Sequence, residues 1–189
     1  MTELRQYEDA YKELAEDPNR WMSSARNLLA AADHLWVSVR ADLDVEDSSA
    51  DNEGNHADIA QNNAAERPFL QYAAIYLMVA GFAVENALKA VLVRHQESVR
   101  SRMNRGELRM ARELQTHNLR SLAQKAGISL SDSEEDLLER LRAYLEWAGR
   151  YPVATSARGQ GAVQNVWGGD QDAISGIFQK VEAAFDTGL

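Results

Sequence analysis

The chain contains no cysteine, which excludes disulfides, thiolate metal ligands and a cysteine nucleophile. It has only three prolines in 189 residues, and each falls where a helical pattern breaks. Long hydrophobic runs are also missing. The most apolar stretch, residues 72–84, is short of the ~18 residues a membrane span needs and runs directly into Glu85, Asn86 and Lys89. A buried core helix is therefore expected there, with no membrane role. Residues 1–17 are rich in acidic side chains and lack the apolar centre of a secretory signal, so a cytoplasmic location is expected.

Several sources of chemistry are missing too. There is no phosphate-cradling Walker loop, no dinucleotide-binding glycine pattern and no serine nucleophile elbow. His34, His56 and His95 are far apart and have no ligand-spaced partner. No metal and no cofactor are expected.

Charge is abundant but uneven. The formal net charge is -9. Residues 1–66 carry 15 acidic and 5 basic side chains, and residues 94–120 carry seven arginines against three glutamates. An acidic protein of this kind is a poor general binder of duplex DNA, since that affinity comes mainly from neutralising phosphates. The arginine-rich segment can still hold one phosphate or a short RNA, or form an ordinary solvated surface.

Helical periodicity dominates. Leu4, Tyr7, Tyr11 and Leu14 share one side of a short first helix, and Asp17 or Asn19 is placed to cap the next. Trp21, Ala25, Leu28, Leu29, Ala32, Leu35, Trp36 and Val39 predict a helix over about 20–41. Between Asp42 and Glu66 acidic residues occur without any Lys or Arg, which predicts a mobile acidic loop at about 42–66. A long helix from Phe69 to Gln96 follows, apolar nearly all round in its first half, as befits the centre of a bundle or a dimer interface.

A short helix is expected near Glu107–Glu113, and another from Thr116 or His117 to Gly127, whose glycine can take the left-handed terminating conformation. Ser131 and Glu134 have capping-box spacing ahead of a helix that Gly149 stops. Residues 153–169 read as a loop, and the last helix begins at Asp170. No strand-like alternation competes. The expectation is a single all-α domain over 1–189, a bundle of four main helices plus short ones.

Three polar groups interrupt these patterns. Glu85 and Lys89 are one helical turn apart in the favourable order for an ion pair, with Asn86 between their faces. Partial burial would make the pair either a clamp fixing helix register or the floor of a pocket. His117, at a helix start, can exchange a proton, bind phosphate when protonated, or satisfy a nearby carboxylate. Arg150 offers a planar fork for carboxylate or phosphate, while Tyr151 shapes an apolar wall or simply accompanies the helix end.

The blocks Ala80-Gly81-Phe82-Ala83-Val84-Glu85-Asn86-Ala87-Leu88-Lys89-Ala90, His117-Asn118-Leu119 and Trp147-Ala148-Gly149-Arg150-Tyr151-Pro152 resemble the HEPN superfamily of small helical domains, over roughly residues 20–150. The resemblance implies a four-to-five-helix bundle, frequent homodimers, and roles around RNA or nucleotides. Many members are metal-independent endoribonucleases marked by an arginine four to six residues before a histidine, a spacing that Arg112 and His117 share. Others are inactive partners or binding modules.

Three functions follow as expectations. The first is a nucleotide-phosphate or short-RNA binding module with Glu85, Asn86, Lys89, His117, Arg150 and Tyr151 around one polar cleft. The second is an endoribonuclease in which His117 moves the proton and Arg112 or Arg150 stabilises the phosphorane. The third is a structural or protein-partner module that uses the same residues as a buried ion-pair network.

Overall fold

The computed structural model describes residues 10–11, 13–50, 68–97, 99, 111–148 and 166–187. Every regular element among the described residues is helical. Residues 10–11 and 13–16 lead into α1 (Pro18–Ala50) and α2 (Pro68–His95); a 3-10 turn (Arg112–Leu114) precedes α3 (Leu119–Lys125) and α4 (Asp132–Ala143). A π-helical turn (Tyr144–Ala148) continues α4, and α5 is Asp170–Thr187.

The helix ends follow local chemistry. Asp17 caps α1, its carboxylate accepting from the Asn19 amide at 2.9 Å, and Pro18 occupies the first turn where its missing N–H costs nothing. Ser131 and Glu134 form the expected capping box. Gly127 has φ 66°, and the Ile128 amide donates back to the Ala123 carbonyl at 3.0 Å, which closes α3 in the left-handed manner expected.

Three boundaries differ from expectation. The first long helix extends nine residues past 41, to Ala50, taking in part of the acidic stretch; residues 51–66 lie outside the described residues. No glycine or proline occurs between Asn19 and Glu53, so the backbone has no breaker there, and like charge alone did not end the helix. α3 begins at Leu119 rather than at Thr116 or His117, because Asn118 is the cap: its side chain accepts from the Ser121 amide at 3.0 Å. The short helix expected near 107–113 is a single 3-10 turn at Arg112–Leu114, with 101–110 outside the described residues.

Specific contacts fix the packing. Trp36 meets Tyr76 with ring centroids 4.9 Å apart, Ser24 meets Asn86, and Trp21 meets Lys89. Positions on α1 rise as those on α2 fall, so the two helices are antiparallel. α5 runs parallel to α2, with Asp170 near Tyr76 at one end and Phe185 against Arg94 and His95 at the other. α4 is antiparallel to α5, tied by Arg140–Asp170 and Lys180–Glu134.

α2 is the central helix. Its residues Ala83, Val84, Ala87, Leu88, Ala90, Val91, Leu92 and Val93 are all buried, more than one face of a peripheral helix would bury. Residues Tyr72–His95 are long and apolar enough to cross a membrane by length and composition, Glu85 and Lys89 notwithstanding, yet 72% of that apolar window is buried inside the bundle. At Gly81, a Cβ would approach the Leu145 side chain to 3.1 Å, so the glycine lets the π-helical turn lie directly on α2. Tyr144, in that turn, has its phenol pushed up to about 12, mainly by burial.

On the bundle surface, Lys180 bonds both oxygens of Glu134 at 2.7 Å. That contact, with the Ser131 amide, holds the Glu134 carboxyl below its usual range. A depressed carboxyl contributes stability above its unfolded value and loses it as pH falls through the folded one. Glu134→Gln keeps an amide oxygen for the cap but removes the charge. Its melting temperature is expected to be lower by roughly 1–3 °C at neutral pH. The deficit should vanish near about pH 2, where carboxylates are protonated. Parallel thermal melts across that range check it.

Candidate functional site

The middle of α2 places a carboxylate where the surrounding sequence is apolar. Glu85 is 3% exposed and Lys89, one turn later, is 5% exposed. The Lys89 ammonium donates to Glu85 Oε1 at 2.6 Å, as their spacing predicts. The other carboxylate oxygen, Oε2, is 2.8 Å from His117 Nδ1, which arrives from the segment ahead of α3. One buried carboxylate thus joins an ammonium and an imidazole that are 28 residues apart in sequence.

The surroundings fix each group. The Lys89 ammonium lies 5.9 Å from the centroid of the Trp21 ring, and Trp21 Nε1 donates to the Ala15 carbonyl at 3.0 Å, so the residues before α1 hold that indole. Phe82, one turn before Asn86 on α2, meets the His117 ring edge-on with centroids 6.3 Å apart. Thr116 Oγ1 accepts from the Asn118 amide, and Asn118 caps α3, which leaves little freedom to the backbone on either side of His117.

A carboxylate only accepts hydrogen bonds, so Nδ1 of His117 carries the proton in this contact whatever the charge of the ring. Nε2 then faces away from Glu85 with no hydrogen bond among the described residues, and the side chain is 45% exposed. In the neutral ring Nε2 is a bare acceptor; in the protonated ring it is a second donor. Glu85 and Lys89 cancel each other's charge, so protonating His117 leaves the cluster with a net charge of +1.

The expected residues are only partly brought together. Glu85, Lys89 and His117 converge. Asn86 lies beside them but points to α1, where its amide donates to Ser24 Oγ at 3.2 Å. Ser24 borders a depression of about 470 Å³ lined by Arg20, Ser23, Asn27 and Leu28 as well. Arg112 is exposed on the 3-10 turn and makes no hydrogen bond or ion pair with His117. Arg150 and Tyr151 lie outside the described residues. Among the described residues no cluster of three or more metal-ligating side chains occurs.

Periodicity did not single out Trp21 and Ser24. Trp21 reads as one more apolar position and Ser24 as a solvated one, and only the antiparallel pairing with α2 brings them to Lys89 and Asn86. Nor did it find the pair Arg140–Asp170, whose partners are both buried and joined by two bonds of 2.5 and 3.1 Å. No local spacing signals a contact between residues so far apart.

Compared with family models, curated proteins and solved structures, the chain matches none.

The burial of the cluster sets its energetics. Removing one member of a buried pair strands the other's charge, at a typical cost of about 3–5 kcal/mol, whereas replacing both by apolar groups is often nearly neutral. Glu85→Leu is therefore expected to destabilise by about 3–5 kcal/mol, and Glu85→Leu with Lys89→Met by clearly less. Urea unfolding of the two single variants and the double variant gives the comparison. Additive losses would mean that the two side chains are not coupled.

Proposed function

We propose that this is a HEPN-like binding module for a nucleotide phosphate or a short single-stranded RNA, with His117 as its principal contact. The observation that carries the reading is the Glu85–His117 pair, which fixes the imidazole through Nδ1 and leaves Nε2, on a half-exposed side chain, without a partner among the described residues. A phosphate oxygen accepts from a protonated Nε2, in a cluster whose other two charges already cancel. Lys89 supports the site from behind. Asn86 orients a ligand or Ser24. Nothing in this arrangement reads a base.

The same observation favours a second reading, a metal-independent endoribonuclease. A neutral His117 held by a carboxylate is arranged to take the proton from a ribose 2′-hydroxyl, and Arg112 or Arg150 would stabilise the phosphorane oxygens. A cytoplasmic homodimer goes with this reading, its contact formed on the side of α2 that carries the exposed Tyr72 and the partly buried Ile75. Sedimentation would then report twice the 21.1 kDa chain mass.

Labelled single-stranded RNA in EDTA separates the readings, with wild type, His117→Ala and Glu85→Gln compared for retention and cleavage. The expected result is retention without cleavage, weakened roughly 10–100-fold in His117→Ala, the scale of one charge-assisted hydrogen bond. Cleavage that His117→Ala abolishes selects the nuclease. If the wild type neither retains nor cleaves RNA at low salt, and nucleotides do not shift its melting temperature, the protein-partner module remains.

A further inference from the structure

His117 offers one nucleophilic atom, and the fold decides which. Nδ1 is bonded to Glu85 Oε2 at 2.8 Å, while Nε2 has no hydrogen-bond partner among the described residues, on a half-exposed side chain. In the neutral ring the proton stays on Nδ1 and the Nε2 lone pair is available. The other described histidines differ. His95 places Nε2 3.2 Å from the Phe185 carbonyl, which only accepts, so its own proton sits on Nε2 and its free lone pair on Nδ1. His34 is exposed on α1, and no hydrogen bond fixes either of its ring nitrogens.

Attack by Nε2 puts positive charge on the ring, and a carboxylate already bonded to Nδ1–H is placed to offset it. Lys89, 2.6 Å from Glu85 Oε1, neutralises that carboxylate in turn, so the cluster has no net negative charge to repel an anionic electrophile. Acyl transfer would need free donors beside Nε2 for a developing oxyanion. The neighbouring donors are engaged within the fold: the Lys89 ammonium by Glu85, the Asn86 amide by Ser24 and the Asn118 amide by Thr116. A phosphoryl group passes through a loose transition state and asks the acceptor for little more than one aligned lone pair. The depression of about 470 Å³ is walled by α1 residues and does not include the imidazole, which suits a macromolecular donor that brings its own site.

We propose that His117 Nε2 is a phosphoryl-accepting site, modified by a phosphoramidate donor, the class to which a phosphohistidine of another protein belongs. The Nε2 lone pair forms the new N–P bond as the donor's P–N bond breaks, and that electron pair leaves with the donor nitrogen. Nδ1 keeps its proton, bonded to Glu85. One N–P bond replaces another, so no further co-reactant is required. Glu85 is a positioning residue that acts through His117. This goes beyond the binding reading above: it shares the imidazole but does not depend on RNA as a ligand.

The test treats the full chain with phosphoramidate at neutral pH, where ammonia leaves, and maps phosphohistidine by peptide mass spectrometry and nitrogen NMR. Wild type should be modified first at His117, on Nε2 alone, roughly 5–10-fold faster than at the other three histidines, the difference between a charge-assisted and a neutral hydrogen bond. Glu85→Gln keeps an acceptor oxygen but removes the charge, and should lose that preference relative to His34 in the same chain. In urea the wild type should lose it too, an arm that does not require the variant to fold. No modification of His117, modification on Nδ1, or a rate no faster than at His34 overturns the proposal. A preference that persists in urea, or in a Glu85→Gln protein that melts as the wild type does, also overturns it. RNA retention is scored separately: a protein that retains RNA but takes no phosphoryl group keeps the binding reading and loses this one, and the converse result does the reverse.

Discussion

A carboxylate in the middle of an apolar helix is the constraint around which the site is organised. Glu85 sits in the most buried part of α2, where an unpaired charge would cost several kcal/mol. Its two oxygens have different partners, Lys89 on the same helix and His117 from a distant segment. The first contact is local and forms with the helix. The second requires the segment ahead of α3 to be docked, so satisfying the carboxylate also places the imidazole. The features that narrow the neighbourhood, the Asn118 cap and the edge-on contact with Phe82, act on the same ring.

A second buried pair does comparable work at the other end of the bundle. Arg140 and Asp170 join α4 to α5 across a segment of chain with no helical pattern, and Asp170 also anchors the turn before α5. Nearby, Tyr76 has its phenol pushed well above the usual tyrosine range, by burial first and then by Asp170, Asp33 and Asp172. It remains a neutral ring against Trp36. The two pairs differ in what they present outward: one holds a titratable imidazole, the other an indole.

Much of the fold was legible because it depends on local chemistry. The Ser131–Glu134 box, the left-handed Gly127 and the Glu85–Lys89 spacing are each decided within a few residues. The end of α1 is not legible in the charge pattern, because repulsion among acidic side chains does not stop a helix that meets no backbone breaker. The start of α3 was misplaced by two or three residues because Thr116, His117 and Asn118 can all begin a helix, and only hydrogen bonding chooses Asn118. At the site, Glu85 and His117 are both legible as members of one polar group, whereas the direct contact of Oε2 with Nδ1 needs the docking of the segment ahead of α3. Trp21, Ser24, Arg140 and Asp170 acquire their meaning from helix pairing, which no short-range pattern encodes. Arg112 matched a spacing but makes no bond to His117.

Which nitrogen of His117 carries the proton decides whether the buried carboxylate controls this ring. Long-range nitrogen–proton correlation spectra of the imidazole report this, with His117→Ala identifying the signals. In its neutral form the ring should hold its proton on Nδ1, toward Glu85, and leave Nε2 bare, and Glu85→Leu should abolish that preference. A neutral ring protonated on Nε2, or a tautomer unchanged by Glu85→Leu, would contradict the central claim that the buried carboxylate sets the chemistry of this histidine.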